Sequence, residues 1–141
     1  YKGQAMFTEI IEPRFAETDA LGHINNTVLP LWFEKARDPI FRFFTPDLDP
    51  KKWALIIARI EVDFKAEIFV NANVEVKTWL EKVVNLAMTV IKQAWQDGQL
   101  CAQGKTALIH FDWKLKKTKP INDTIRKQLT EHLITPDNGS L

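Results

Sequence analysis

The stretch Phe15-Ala-Glu-Thr-Asp-Ala-Leu-Gly-His-Ile-Asn-Asn-Thr-Val-Leu-Pro-Leu-Trp-Phe-Glu-Lys-Ala-Arg37 decides how this chain folds. Its first half, residues 17–26, is polar and carries a glycine, the composition of a loop. Its second half starts a helix. Apolar residues recur at Leu29, Phe33, Ala36, Ile40 and Phe44, the three-to-four spacing of one helix face. Trp32, Phe41 and Phe43 widen that face, so a helix over residues 29–44 should be largely buried. With Thr27 as N-cap, Pro30 falls at the third helical position, where no intrahelical N–H bond is lost. Pro39 would break the bond to the Lys35 carbonyl, which predicts a kink near Asp38. Asp38 would then cap a second helical piece.

Outward from this stretch the chain reads as sheet. Residues 7–15, rich in Ile and Phe, predict a strand. Residues 54–64 predict another. Residues 73–83 alternate, with Val74, Val76, Thr78 and Leu80 on one face and Glu75, Lys77, Trp79 and Glu81 on the other. Residues 86–95 and 100–113 are joined through Asp97-Gly98, a strong hairpin signal. Residues 122–133 have a helical pattern at Ile125, Leu129 and Leu133. Consecutive strands on short turns make an antiparallel sheet. A sheet that long must cover its apolar face, and the large apolar helix is the available cover. The expected fold is α+β, a curved antiparallel sheet wrapped around one long central helix.

The 141 residues are 45 % hydrophobic, enough for one full core. One domain is expected over residues 6–134, with residues 1–5 a remnant ahead of Met6 and residues 135–141 a small polar tail. Nineteen Lys and Arg against eighteen Asp and Glu leave a net charge of +1, which gives no support for nucleic-acid binding. No apolar run approaches the ~18–20 residues of a membrane span, and none at the N-terminus has the form of a signal peptide. The single cysteine, Cys101, rules out an internal disulfide and fits the cytoplasm. It reads as a small buried strand residue. His110 and His132 lack metal-ligand spacing with each other or with Cys101, so no metal is expected.

Thr18-Asp19, Gly22-His23, Asn25-Asn26 and Phe33-Glu34-Lys-Ala-Arg37 match, in order and spacing, the pattern T-D-x-x-G-H-x-N-N followed by F-E-x-A-R. In this the chain resembles the hotdog-fold acyl-CoA thioesterases of the 4-hydroxybenzoyl-CoA thioesterase family. The resemblance extends over nearly the whole domain, through Phe111-Asp112, the Asp97-Gly98 hairpin and Pro120. It implies a hotdog fold, a homodimer or homotetramer with a sheet continuous across the dimer, and active sites between subunits. It further implies a small-molecule acyl thioester as substrate. No cofactor is implied, coenzyme A being part of that substrate.

The chemistry can also be argued from the residues. Thioester hydrolysis needs a nucleophile or base and a donor for the developing oxyanion. An aspartate is ordinarily ionised at neutral pH, so Asp19 can activate water or attack the carbonyl. The matching Asp does this in the family. Gly22 lets the backbone turn closely beside the substrate. Asn25 and Asn26 lead to the helix start, where free N–H groups and the dipole favour an oxyanion. By position the family's polarising N–H falls on Asn26. His23 is read as a structural hydrogen bond in the loop, and Glu34 as an i,i+3 partner of Arg37. Asp19 is thus the candidate catalytic residue, and Gly22, His23, Asn25 and Asn26 the candidate substrate-binding residues.

The sequence departs from the family in three places. Glu17 stands where the family has an Asp. Pro39 interrupts the helix. Val83-Val84-Asn85-Leu86-Ala87 replaces the usual I-G-x-S-S, where the strand faces the neighbouring subunit's active site. Two apolar side chains instead of hydroxyls predict a greasier pocket or weaker activity, with Phe33, Phe41, Phe43 and Phe44 as candidate apolar lining. Two other functions suit the fold: a 3-hydroxyacyl thioester dehydratase, for which His23 and Glu34 would have to converge, and a non-catalytic acyl-thioester binding protein.

Overall fold

The computed structural model describes residues 6–49, 51 and 54–134, so the expected remnant and tail lie outside the described residues. In chain order the elements are β1 (Phe7–Ile11), a single 3-10 turn (Phe15–Glu17), α1 (Val28–Ala36), α2 (Asp38–Phe41), β2 (Leu55–Phe64), β3 (Val74–Val83), β4 (Ala87–Gln96), β5 (Gln99–Asp112), β6 (Lys117–Thr118) and α3 (Asp123–Thr130). The strands form one curled antiparallel sheet in the order β1-β3-β4-β5-β2, with β6 paired to the end of β5. At the β4–β5 hairpin Asp97 has φ 52° and Gly98 φ 77°, the two positive values that a two-residue hairpin turn requires.

Several boundaries differ from expectation for local reasons. The strand expected over 7–15 ends at Ile11, because Pro13 has no N–H to give a ladder. The helix expected over 29–44 is present as two pieces, α1 and α2, broken at Arg37. Asp38 does not cap the second piece. Arg37 holds the cap position, Asp38 opens the helix and Pro39 follows it. Thr27 does stand at the N-cap of α1, but its N–H and hydroxyl turn back to Asn25 Oδ1 at 3.0 Å each. Asn122 caps α3 by accepting from the Ile125 N–H at 2.8 Å.

The inner face of the sheet and the buried face of α1 and α2 enclose two apolar clusters. One gathers Leu29, Trp32, Phe33 and Ala36 against Val74, Val76, Ala94 and Ala102. The other gathers Ile40 and Phe41 against Leu80, Val90 and Leu108. Each fully buried side chain of this size contributes roughly 1.5–3 kcal/mol. Trp79, read from its alternation as outward-facing, is nonetheless buried, in a small separate cluster with Ile91 and Ile134.

Sheet order leaves β2 at an edge. Ile57 is 42 % exposed, Ile60 53 % and Phe64 48 % along it. An edge this apolar is a template for pairing.

Candidate active site

Residues 17–28 form a loop tied down at both ends by backbone bonds. Thr18 pairs with Ile24, and His23 with Phe69, as isolated bridges. The Ile24 N–H donates to the Ile68 carbonyl at 2.7 Å, which docks the loop on the segment that follows β2. Glu17, the departure from the family's Asp, has a structural task. Its carboxylate accepts from the Arg14 N–H at 2.8 Å and from the Trp32 indole at 3.1 Å, stapling the loop's start to α1. Burial pushes that carboxyl up, but these donors and the Arg14 guanidinium outweigh it and hold it below the usual range.

Asp19 sits at the turn of the loop. Its backbone N–H donates to the His23 carbonyl at 2.7 Å. One carboxylate oxygen, Oδ1, accepts from the Leu21 N–H at 2.8 Å and the His23 N–H at 3.1 Å. These bonds orient the carboxylate and leave Oδ2 without a hydrogen bond among the described residues. Gly22 makes the turn possible with φ +84°, a region costly for residues with a Cβ. His23 places Nε2 3.2 Å from Glu67 Oε2 and stands edge-on to Phe69. The sequence points to a structural hydrogen bond for His23, and Glu67 is the partner its ring meets here. Asn25 donates its N–H to the Glu17 carbonyl and accepts from Thr27 and Val28, so it shapes the approach to α1.

Asp19, His23 and Asn26 line one cleft of about 410 Å³. Gly22 and Asn25 do not line it; Gly22 supplies the turn and Asn25 the hydrogen bonds that shape the loop. The N–H of Asn26 has no hydrogen-bond partner among the described residues and lies just ahead of the first turn of α1. A free N–H at the positive end of a helix is a ready oxyanion donor.

The opposite wall of the cleft comes from Phe64 to Ile68 at the end of β2 and from Cys101 and Ala102 on β5. Sequence reasoning missed this wall, because only the fold brings residues so far apart together. The Lys65 and Ala66 N–H groups both donate to the Cys101 carbonyl, fixing the segment to β5. Burial pushes the Cys101 thiol up, away from the reactive thiolate.

Other expectations need correction. Among the described residues no ion pair joins Glu34 to Arg37. The Arg37 guanidinium lies 4.8 Å over the Phe41 ring instead. Glu34 lines a groove farther along α1 and not the cleft of His23, so the dehydratase pair does not converge in this chain. None of Phe33, Phe41, Phe43 and Phe44 lines the Asp19 cleft; all four pack in the two core clusters. Leu86 and Ala87 stand beside Ile109 and His110, toward the other end of β5 from Cys101.

The model of a thioesterase-like superfamily matches residues 13–129. A predicted thioesterase from Bacillus stearothermophilus is 42 % identical, with a TM-score of 0.89 over 93 % of this chain and 98 % of that one. A DHNA-CoA thioesterase from Staphylococcus aureus is 28 % identical, with a TM-score of 0.72 over 90 % of this chain and 88 % of that one. A thioesterase from Thermus thermophilus, crystallised with coenzyme A and zinc, shares the fold at 23 % identity and a TM-score of 0.81, over 94 % of this chain and 97 % of that one. A comparison with curated proteins returned no match. The curled antiparallel sheet over α1, the loop that aims Asp19 and Asn26 into one cleft, and the family match agree: the chain belongs to the thioesterase-like superfamily and has its hotdog fold.

Proposed function

We propose that this protein hydrolyses acyl-CoA thioesters to free acid and thiol, with Asp19 as the reacting carboxylate. The observation that carries this reading is the meeting of Asp19 and the unpartnered Asn26 N–H in one cleft. A thioester carbonyl placed between them would have its oxygen polarised by that N–H and the start of α1. Asp19 either takes a proton from the attacking water or attacks the carbonyl itself. In both routes the C–S bond breaks and the thiolate leaves and is protonated. In the first, water adds directly and supplies the acid's new oxygen; in the second, water opens an acyl–Asp19 anhydride to release the acid and restore the carboxylate. Within the superfamily we place the chain in the 4-hydroxybenzoyl-CoA thioesterase branch on its Thr18-Asp19 to Arg37 pattern. Coenzyme A as the thiol accords with the coenzyme A bound by the Thermus thermophilus thioesterase. No helix among the described residues is long and apolar enough to cross a membrane. The lone, buried Cys101 suits a cytoplasmic enzyme.

We further propose that two copies pair along β2. The apolar edge supports this, and so does the open side of the cleft, which Phe64 at the end of β2 borders. Antiparallel pairing about a two-fold axis would set the start of one β2 against the end of the other. It would thereby carry a second copy's Ile109 and Ala87 row toward this cleft, where the family has hydroxyls.

Thiol release from a panel of acetyl-, medium-chain, long-chain and aromatic acyl-CoA esters, followed with a thiol-reactive dye, tests the function. Release well above the buffer rate on at least one ester supports it. A chain that accelerates none of them overturns the hydrolase reading.

A further inference from the structure

Between the two apolar clusters lies a layer of buried polar side chains that the reaction above does not use. Thr78, Lys92 and Thr106 come from neighbouring strands β3, β4 and β5, and Arg37 covers them from the break between α1 and α2. Lys92 is 3 % exposed and Arg37 7 %. Lys92 Nζ donates to Thr106 Oγ1 at 2.6 Å. Arg37 Nε and Thr78 Oγ1 have no hydrogen-bond partner among the described residues. Two buried cationic side chains with one hydroxyl partner between them, Thr106 on Lys92, are costly, because buried charge needs a counter-charge. Glu34 is exposed and closes no ion pair with either. Arg37 and Lys92 both line a small pocket of about 60 Å³, roughly twice the ~30 Å³ share of one liquid water.

That pocket lies next to the Asp19 cleft along the same two strands. On β2 the cleft is lined by Phe64 and the pocket by Val62; on β5, by Ala102 and then Gly104. Gly104 lets the Phe33 ring lie directly on the sheet, where an added Cβ would come within 2.9 Å of it. The step from cleft to pocket is two residues along each strand, roughly 7 Å at ~3.4 Å per residue, about the span of a six- to eight-carbon acyl chain.

We propose that this layer is the terminal acyl subsite, in which Lys92 and Arg37 receive a carboxylate at the far end of a chain whose thioester lies beside Asp19. The inference rests on the thioesterase reading and names its substrate class, the ω-carboxyacyl thioesters. The apolar preference expected from the sequence then belongs to the body of the chain, and the charged end is what the buried layer selects. Burial, and next the Arg37 charge, pull the Lys92 ammonium down to about 7, while Glu34 raises it. Glu61 of β2 lines the same pocket, Thr106 faces Lys92 from β5, and Thr78 stands beside it on β3. Lys92 is therefore charged at pH 6 and largely neutral at pH 8, and the carboxylate preference should be stronger at pH 6.

The test compares kcat/KM for adipoyl- and suberoyl-CoA with hexanoyl- and octanoyl-CoA. The expected result is at least a tenfold preference for one carboxyl-ended ester over its methyl-ended match at pH 6. That preference should shrink several-fold by pH 8 and collapse in Lys92→Met. Should Lys92→Met fail to fold, the wild-type pH dependence decides. A second arm needs no turnover: calorimetric binding of non-hydrolysable CoA thioethers ending in carboxyl or methyl. Tighter, Lys92-dependent binding of the carboxyl form supports the subsite even if no thioester is hydrolysed, in which case only the hydrolase reading fails. Hydrolysis with no carboxyl preference, unmoved by pH or Lys92→Met, overturns the subsite. The same holds if Arg37→Met splits a dimer while that ratio stays unchanged, since the layer would then belong to a subunit contact.

Discussion

Asp19 owes its aim to backbone donors on its own loop, and in the proposed reaction Asn26 contributes a backbone N–H rather than its side chain. The two roles predict different responses to substitution. Asn26→Ala keeps the N–H and should retain activity within a few-fold. Asn26→Pro deletes the donor and should cost about 10²–10³ in kcat, as loss of an oxyanion donor does. Steady-state rates, with circular dichroism to show α1 intact, check this pair; equal rates would remove Asn26 from the mechanism. Direct attack by Asp19 makes an anhydride, and water that opens it at the Asp19 carbonyl leaves its labelled oxygen in that carboxylate after a single turnover, whereas general-base catalysis sends the label only to the product acid. At this scale the sequence was informative, because the motif is local: a run of a dozen residues carries Asp19, the glycine with positive φ and the helix start. Glu67 and Cys101 stayed hidden. Each reaches the cleft only through strand pairing, and no local pattern marks them.

Elements were legible where their chemistry is periodic. β2, β3, β4, β5 and the Asp97-Gly98 hairpin follow from alternation and turn residues. The helix break follows from Pro39, although it falls at Arg37. Trp79 was misread because its burial depends on Ile134 arriving from the far end of the chain. The polar layer was invisible for the same reason, since a lysine in a strand pattern reads as solvent-facing. Two predictions belong here. Gly104→Ala should destabilise by about 1–3 kcal/mol, because its Cβ would collide with the Phe33 ring; a melting temperature equal to the parent's would deny that contact. Lys92 should make stability depend on pH. The unfolded chain keeps this lysine protonated to its ordinary value of 10.5, while the folded chain sheds the proton at about 7. Between those values the unfolded state binds the extra proton. Stability should therefore rise by up to about 1.4 kcal/mol per pH unit from pH 7 upward and stay flat below. Urea denaturation at pH 6, 7.5 and 9 should show this rise in the parent and a shallower one in Lys92→Met.

At the scale of the molecule, the proposed dimer rests on the edge of β2 and the cleft beside it. Sedimentation at micromolar concentration should give twice the chain mass or more. Ile60→Glu, placing a charge on that edge, should shift the protein to monomer and lower kcat/KM with it. A folded, fully active monomer would remove the second copy from the site. The central claim is that this fold hydrolyses thioesters through Asp19, and one measurement addresses it directly: the thiol-release rate of Asp19→Asn on the parent's best acyl-CoA. Asparagine keeps the shape and the Oδ1 contacts to Leu21 and His23 but cannot serve as base or nucleophile. The rate should fall by about 10²–10⁴ with the fold and oligomeric state unchanged. Turnover equal to the parent's would contradict the account.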